Sequence, residues 1–128
     1  MDDISLGVPA PILEALPEDG ADAAEDMQRA VMGWERRLEE AIAGAEDDRE
    51  VTRIVATAID RLETRRERFD EFVPELRAWG QSPIYAIAWR NLYADLIAQL
   101  YDHDDLGDAL ERERNQRLVE DGIRLRDL

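Results

Sequence analysis

Residues 83–101 have the sequence PIYAIAWRNLYADLIAQLY, which sets the expected architecture of the whole chain. The preceding Ser82 is an N-cap type, and Pro83 suits the first helical position because its φ is already helical and its missing N–H is not needed there. The segment is apolar on nearly every face, apart from a polar stripe at Asn91, Asp95, Gln99 and Asp102. A helix of this kind lies in the middle of a bundle or in a subunit interface. Because Arg90 and Asp95 interrupt it, we do not expect it to span a membrane.

Three further segments have the periodicity of amphipathic helices. The first covers residues 21–43, with apolar residues three or four apart, and ends at Gly44. The second begins at the capping-box sequence Asp47-Asp48-Arg49-Glu50, and we expect Pro74 to end or kink it. The fourth helix of the chain is predicted at about residues 105–121, with a thinner apolar stripe.

Prolines mark the N-terminal residues as different from the rest of the chain. Pro9, Pro11 and Pro17 fall within residues 1–18, and each proline biases the residue before it towards extended backbone. We therefore predict an extended arm over 1–18 that packs on the bundle or on a partner subunit. Residues 19–128 are predicted to form one all-α domain, an antiparallel bundle of three long helices and a shorter fourth.

The composition is strongly acidic. The chain has thirty-one aspartate and glutamate residues, sixteen arginines and no lysine, which gives a net charge of −15. This balance is typical of proteins adapted to molar salt, where the Debye length is only about 3 Å and self-repulsion is screened. We expect a halophilic, cytoplasmic protein, since no N-terminal stretch resembles a secretory signal. The absence of cysteine excludes disulfides, and a single histidine excludes sites that need two imidazoles.

Four arginines lie near one side of the second helix at helical spacing: Arg53, Arg61, Arg65 and Arg68. They predict a face that could bind phosphates of a nucleic acid. The alternative is a solvated face in which acids three or four residues away pair with the arginines. Arg65 and Arg66 interrupt the apolar stripe of this helix, which suggests that one of them forms a buried ion pair. The net charge opposes non-specific nucleic-acid binding, so a nucleic-acid-associated regulator is the second functional hypothesis.

Arg90 lies on the same side of the third helix as Tyr93 and Tyr101. A guanidinium among tyrosine rings can stack on them and bind a carboxylate or phosphate, which predicts a ligand site at these three residues. The alternative is that Arg90 pairs with an acid across a helix or subunit interface. The stretch from Arg90 to Asp95 resembles the opening of the HEPN ribonuclease signature, found on small helical bundles, but Asp95 stands where that family needs histidine.

A run of carboxylates separates the third and fourth helices. Asp102, Asp104, Gly107 and Glu113 match positions one, three, six and twelve of a calcium-binding loop. The stretch resembles an EF-hand, which implies a calcium site at Asp102, Asp104 and Glu113, although Leu106 stands where an oxygen ligand is needed. The alternative is an acidic helix start, where carboxylates stabilise exposed N–H groups.

No set of residues in the sequence assembles a recognisable catalytic site. Carboxylates occur throughout, so pairs of acids do not indicate general acid–base catalysis, and no glycine-rich phosphate loop is present. We therefore predict a non-catalytic protein-interaction module without a cofactor. The surplus apolar surface of the third helix predicts a homodimer, or a complex with another protein.

Overall fold

The computed structural model describes residues 4–103 and 106–127. At residue 117 and at residues 120–127 it describes the backbone only. All regular structure in these residues is α-helical, which confirms the predicted all-α bundle with an N-terminal arm. The helices of this part of the chain are α1 (Ala10–Glu14), α2 (Ala21–Ala43), α3 (Asp48–Ala78), α4 (Ile84–Tyr101) and α5 (Gly107–Asp127).

The start of α3 follows from the capping residues. The Asp47 carboxylate accepts a hydrogen bond from the Glu50 backbone N–H at 2.8 Å. The Glu50 carboxylate in turn accepts from the Glu46 N–H at 3.0 Å, one residue earlier than in the usual capping box. Both contacts provide acceptors for backbone N–H groups at the N-terminus of α3 that have no partner inside the helix. The predicted start of this helix is confirmed.

Pro74 does not end α3, which continues to Ala78. Proline removes the N–H that would bond to the Asp70 carbonyl, but Pro74 and Asp70 are both exposed, so water can solvate that carbonyl. The helix ends where Gly80 adopts φ +74°. There the Gln81 N–H donates to the Leu76 carbonyl at 2.8 Å and the Gly80 N–H donates to the Arg77 carbonyl at 3.1 Å, the Schellman pattern.

Two other helix boundaries differ from the sequence-based expectation. α4 begins at Ile84, with Pro83 as its N-cap residue. α5 runs to Asp127, beyond the predicted end near 121. Gly122 lies inside it, since one glycine lowers helix stability by only about 1 kcal/mol relative to alanine.

The arm packs on its own bundle. Ile4 is buried in the core, and the Leu6 N–H donates to the Glu35 carboxylate at 2.9 Å. The Gln99 side chain contacts both backbone groups of Gly7, accepting from its N–H at 3.0 Å and donating to its carbonyl at 2.8 Å. Residues 4–9 have no regular structure. The prediction of an extended arm is wrong over Ala10–Glu14, which form the short helix α1, because Pro11 lies in the first turn, where its missing N–H is not needed.

The core forms around α4, which packs most extensively on α3 and also contacts α1, α2 and α5. The largest fully buried side chains come from α2, α3 and α4: Met27, Val55, Leu62, Leu92, Leu96 and Leu100. The apolar surface of α4 is thus used largely inside the chain, and its exposed large apolar side chains are those of Ile84 and Tyr85 in the first turn. None of the described helices combines the length and hydropathy that a membrane span needs.

Candidate functional site

A groove of about 290 Å³ lies between the second half of α2 and the first half of α3. Its buried or half-buried lining residues are apolar: Trp34, Leu38, Ile54 and Ala58. Its exposed lining residues are Arg37, Ala41, Glu50, Arg53, Thr57 and Arg61. We call this feature the arginine groove, because guanidinium groups surround an apolar floor.

Helical spacing explains how each helix supplies one wall. On α3, Arg53, Thr57 and Arg61 are four residues apart, which places them one above another on one face. On α2, Trp34, Leu38 and Ala41 are four and three residues apart, which also keeps them on one face. The Glu50 carboxylate at one end is already bonded to the Glu46 N–H, so the single acid of the lining serves the start of α3.

The groove is locally positive in a chain of net charge −15. Three arginines line it against one carboxylate. Among side chains that the structure describes, the ion pairs are Arg29–Asp26 at 3.8 Å and Arg90–Asp70 at 3.0 Å. The intrahelical Glu–Arg pairs expected on this face of α3 are therefore not formed in this part of the chain. The guanidinium groups of Arg53 and Arg61 are left facing solvent.

The structure brings together two of the four arginines singled out as a nucleic-acid face. Arg53 and Arg61 line the arginine groove. The guanidinium of Arg65 instead lies over aromatic rings, 5.4 Å from the Trp34 ring centre and 6.0 Å from that of Tyr93, and it has no ion pair among the described residues. A buried ion pair was suggested for Arg65 or Arg66, and Arg65 makes cation–π contacts instead. Arg68 is exposed and does not line the groove.

Arg37 completes the groove and was not singled out from the sequence. Its guanidinium carbon lies 5.0 Å from the Trp34 ring centre, and its Nε donates to the Gly33 carbonyl at 3.1 Å. Both contacts fix the side chain beside the groove. The available signal was its position three residues after Trp34, which places it on the same side of α2.

The structure places the three residues of the predicted ligand site, Arg90, Tyr93 and Tyr101, in different surroundings, and the site stays a prediction. Arg90 forms its ion pair with Asp70 of α3, the alternative expected from the sequence. The Tyr93 ring is buried, with its centre 5.8 Å from that of Phe69. Tyr101 lines a different cavity, with residues of α3 and α5. Asp95, in the stretch that resembles the HEPN signature, accepts a hydrogen bond from Gln99.

The predicted calcium site is only partly within the described residues. Asp104 lies outside them. Asp102 is the exposed C-cap residue of α4, and Glu113 lies on α5 in a groove shared with Arg112. No group of three candidate metal ligands comes together among the residues that the structure describes. The calcium site remains a prediction.

Comparison with other proteins gives a family and no activity. No curated protein and no solved structure matches the chain. A family model matches residues 1–127, nearly the full length. The chain belongs to the family of unknown function DUF7971.

Proposed function

We propose that the protein is a non-catalytic interaction module that binds an acidic, amphipathic segment of another protein in the arginine groove. The observation that carries this proposal is the combination of an apolar floor with arginines that have no carboxylate partner in the described residues.

The two parts of the groove define the chemistry of the partner. The floor formed by Trp34, Leu38 and Ile54 favours apolar side chains, since burial contributes about 25 cal/mol per Å² of apolar area. The guanidinium groups of Arg53 and Arg61 match carboxylates in a planar, bidentate geometry. A helix with apolar residues on one face and carboxylates at its edges satisfies both, as in other helix-in-groove complexes.

The net charge of −15 sets the condition for binding. In dilute buffer the acidic surface repels an acidic partner. At about 1 M salt the Debye length falls to about 3 Å, so only groups in contact interact strongly. If the composition reflects a salt-rich cytoplasm, partner proteins there carry the same acid excess, and a groove lined by arginines complements them.

A nucleic acid is the alternative occupant, because phosphates also pair with arginine. Binding of that kind relies on many phosphate contacts and on counterion release. The described structure separates the predicted arginine face, with Arg65 turned onto Trp34 and Tyr93. An apolar floor suits a protein side chain better than a phosphate backbone, so the protein partner is favoured.

Self-association remains a separate prediction. Exposed apolar residues lie on both sides of the turn between α3 and α4: Trp79, just after α3, is 67% exposed, and Tyr85, in the first turn of α4, is 37% exposed. Light scattering in molar KCl checks the prediction, with a chain mass of 14.7 kDa as the monomer reference. A monomer mass would contradict it.

The peptide experiment uses a labelled synthetic helix with leucine at i, i+3, i+4 and i+7 and glutamate at its flanking positions. Fluorescence anisotropy in molar KCl measures its Kd for the folded protein. We expect binding that weakens at least about tenfold in Arg53→Glu/Arg61→Glu, since each substitution removes a contact of up to about 1 kcal/mol and adds repulsion between like charges. A scrambled peptide of equal composition should bind poorly.

The control variant is Arg36→Glu/Arg68→Glu, which makes the same change in charge at exposed positions outside the groove. It should bind the peptide as the unmodified protein does. Equal binding of the scrambled peptide, an equal loss in the control variant, or no peptide binding would overturn the proposal. Binding of a DNA or RNA oligonucleotide that depends on Arg53 and Arg61, without peptide binding, would assign the groove to nucleic acid instead.

A further inference from the structure

A second groove adjoins the arginine groove on the other side of Arg53. It has a volume of about 490 Å³ and lies between the start of α3 and α5. Its charged and amide lining residues are Asp48, Arg49, Arg53, Arg112, Glu113 and Gln116. We call it the polar groove, because the apolar residue of its lining is the small Ala109.

Arg53 lines both grooves and therefore forms the ridge between them. Arg49, Arg53 and Arg61 form a slanted column along α3, since each four-residue step turns the side chain by about 40° and twelve residues turn it by about 120°. Twelve residues separate Arg49 from Arg61, which corresponds to about 18 Å along the helix axis at 1.5 Å per residue. The column thus extends from one groove into the other.

The arginines of the polar groove are also open to a ligand. Arg49 and Arg112 are exposed, and neither is in an ion pair among the side chains that the structure describes. The two carboxylates of the lining have other roles. Asp48 lies in the first turn of α3, where a negative charge is favourable, and Glu113 already interacts within the chain.

We infer that the partner segment has two parts, the amphipathic acidic helix in the arginine groove and a polar acidic extension that crosses Arg53 into the polar groove. Carboxylates of the extension bind Arg49 and Arg112. This inference rests on the proposed function, because it names a further part of the same partner. The extension is polar because the second groove has no large apolar side chain to receive one.

The charges of the two grooves predict that the extension contributes less to the binding free energy than the amphipathic helix does. The polar groove is lined by three arginines and two carboxylates, whereas the arginine groove is lined by three arginines and one carboxylate. The contacts are also exposed, and exposed ion pairs contribute little each. We expect an extended peptide to bind about threefold to tenfold more tightly than the helix alone.

The test compares three peptides in molar KCl: the amphipathic helix alone, and the same helix with a run of aspartate and serine at either its N-terminus or its C-terminus. One extended peptide should bind more tightly than the helix alone. In Arg49→Gln/Arg112→Gln that gain should disappear while the affinity for the helix alone stays unchanged. The control Arg36→Gln/Arg68→Gln should keep the gain, and circular dichroism should show both variants folded.

The outcomes separate the two proposals. If the helix binds and neither extension adds affinity, or if the gain persists in Arg49→Gln/Arg112→Gln, the two-part partner is wrong and the proposed function stands. If no peptide binds, both are wrong. A gain that is lost only in the variant of Arg49 and Arg112 supports the extension into the polar groove.

Discussion

The guanidinium carbon of Arg65 lies 5.4 Å from the centre of the Trp34 ring, so a charged residue of α3 contacts the aromatic side chain of α2. The same guanidinium carbon lies 6.0 Å from the ring centre of Tyr93 of α4, and Arg65 donates a hydrogen bond to the Tyr93 hydroxyl at 3.5 Å. One arginine therefore joins three helices at the position where the apolar stripe of α3 is interrupted. The attraction of a cation to the faces of two rings takes the place of an ion pair.

Replacing Arg65 should lower the stability of the bundle. We expect Arg65→Gln to reduce the free energy of unfolding by about 1–2 kcal/mol, since an exposed cation–π contact contributes about 0.5–1 kcal/mol and two rings are involved. Urea unfolding in molar KCl measures the change. Arg68→Gln, at an exposed position without these contacts, should change stability by less than about 0.5 kcal/mol. Equal effects of the two substitutions would contradict the cation–π assignment.

A substitution at Leu92 tests whether α4 is central to the hydrophobic core. Its side chain is 0% exposed, and a Leu→Ala change in a packed core costs about 2–5 kcal/mol through lost burial and the cavity left behind. We expect Leu92→Ala to lower the urea midpoint strongly. Leu118→Ala on α5, where the side chain is 61% exposed, is the matched control and should have little effect. A small change at Leu92 would show that α4 is not central to the core.

Gln99 should hold the N-terminal arm on the bundle. Its amide bonds to both backbone groups of Gly7, and Asp95 accepts from the same amide nitrogen at 2.9 Å. In Gln99→Ala we expect faster hydrogen exchange at the Gly7 amide, because its N–H loses its acceptor, while the amides inside α4 keep their protection. Gln81→Ala, outside this contact, is the control. Unchanged exchange at Gly7 would mean that apolar packing alone holds the arm.

Salt should stabilise the folded chain. A net charge of −15 repels itself in the compact state, and raising the KCl concentration from about 0.1 M to 1 M shortens the Debye length from about 10 Å to 3 Å. The melting temperature should therefore rise with KCl. Sucrose at matched osmolality is the control for general solute effects. A melting temperature independent of KCl would contradict the prediction of a halophilic composition.

Local patterns predicted the helices well where the signal lies in adjacent residues. The stripe that ends at Gly44 predicted α2 with its observed bounds, and the capping residues Asp47 and Glu50 predicted the start of α3. Pro74 was predicted to end or kink the second helix, and α3 continues past it to Ala78. Whether proline ends a helix depends in part on whether the carbonyl it leaves unbonded is solvated, and that depends on which side of α3 faces solvent.

The amino-acid sequence by itself determined the all-α class, the main helices and the arginine spacing on α3, because each depends on residues within one or two helical turns of one another. The arginine groove was decided only by the tertiary structure. Arg37 and Arg53 belong to different helices, and their proximity depends on how α2 packs against α3. The same packing places Arg65 over the Trp34 ring and Arg61 at the groove. Side chains on one face of a helix can have different neighbours, because the helix packed against that face does not cover its whole length.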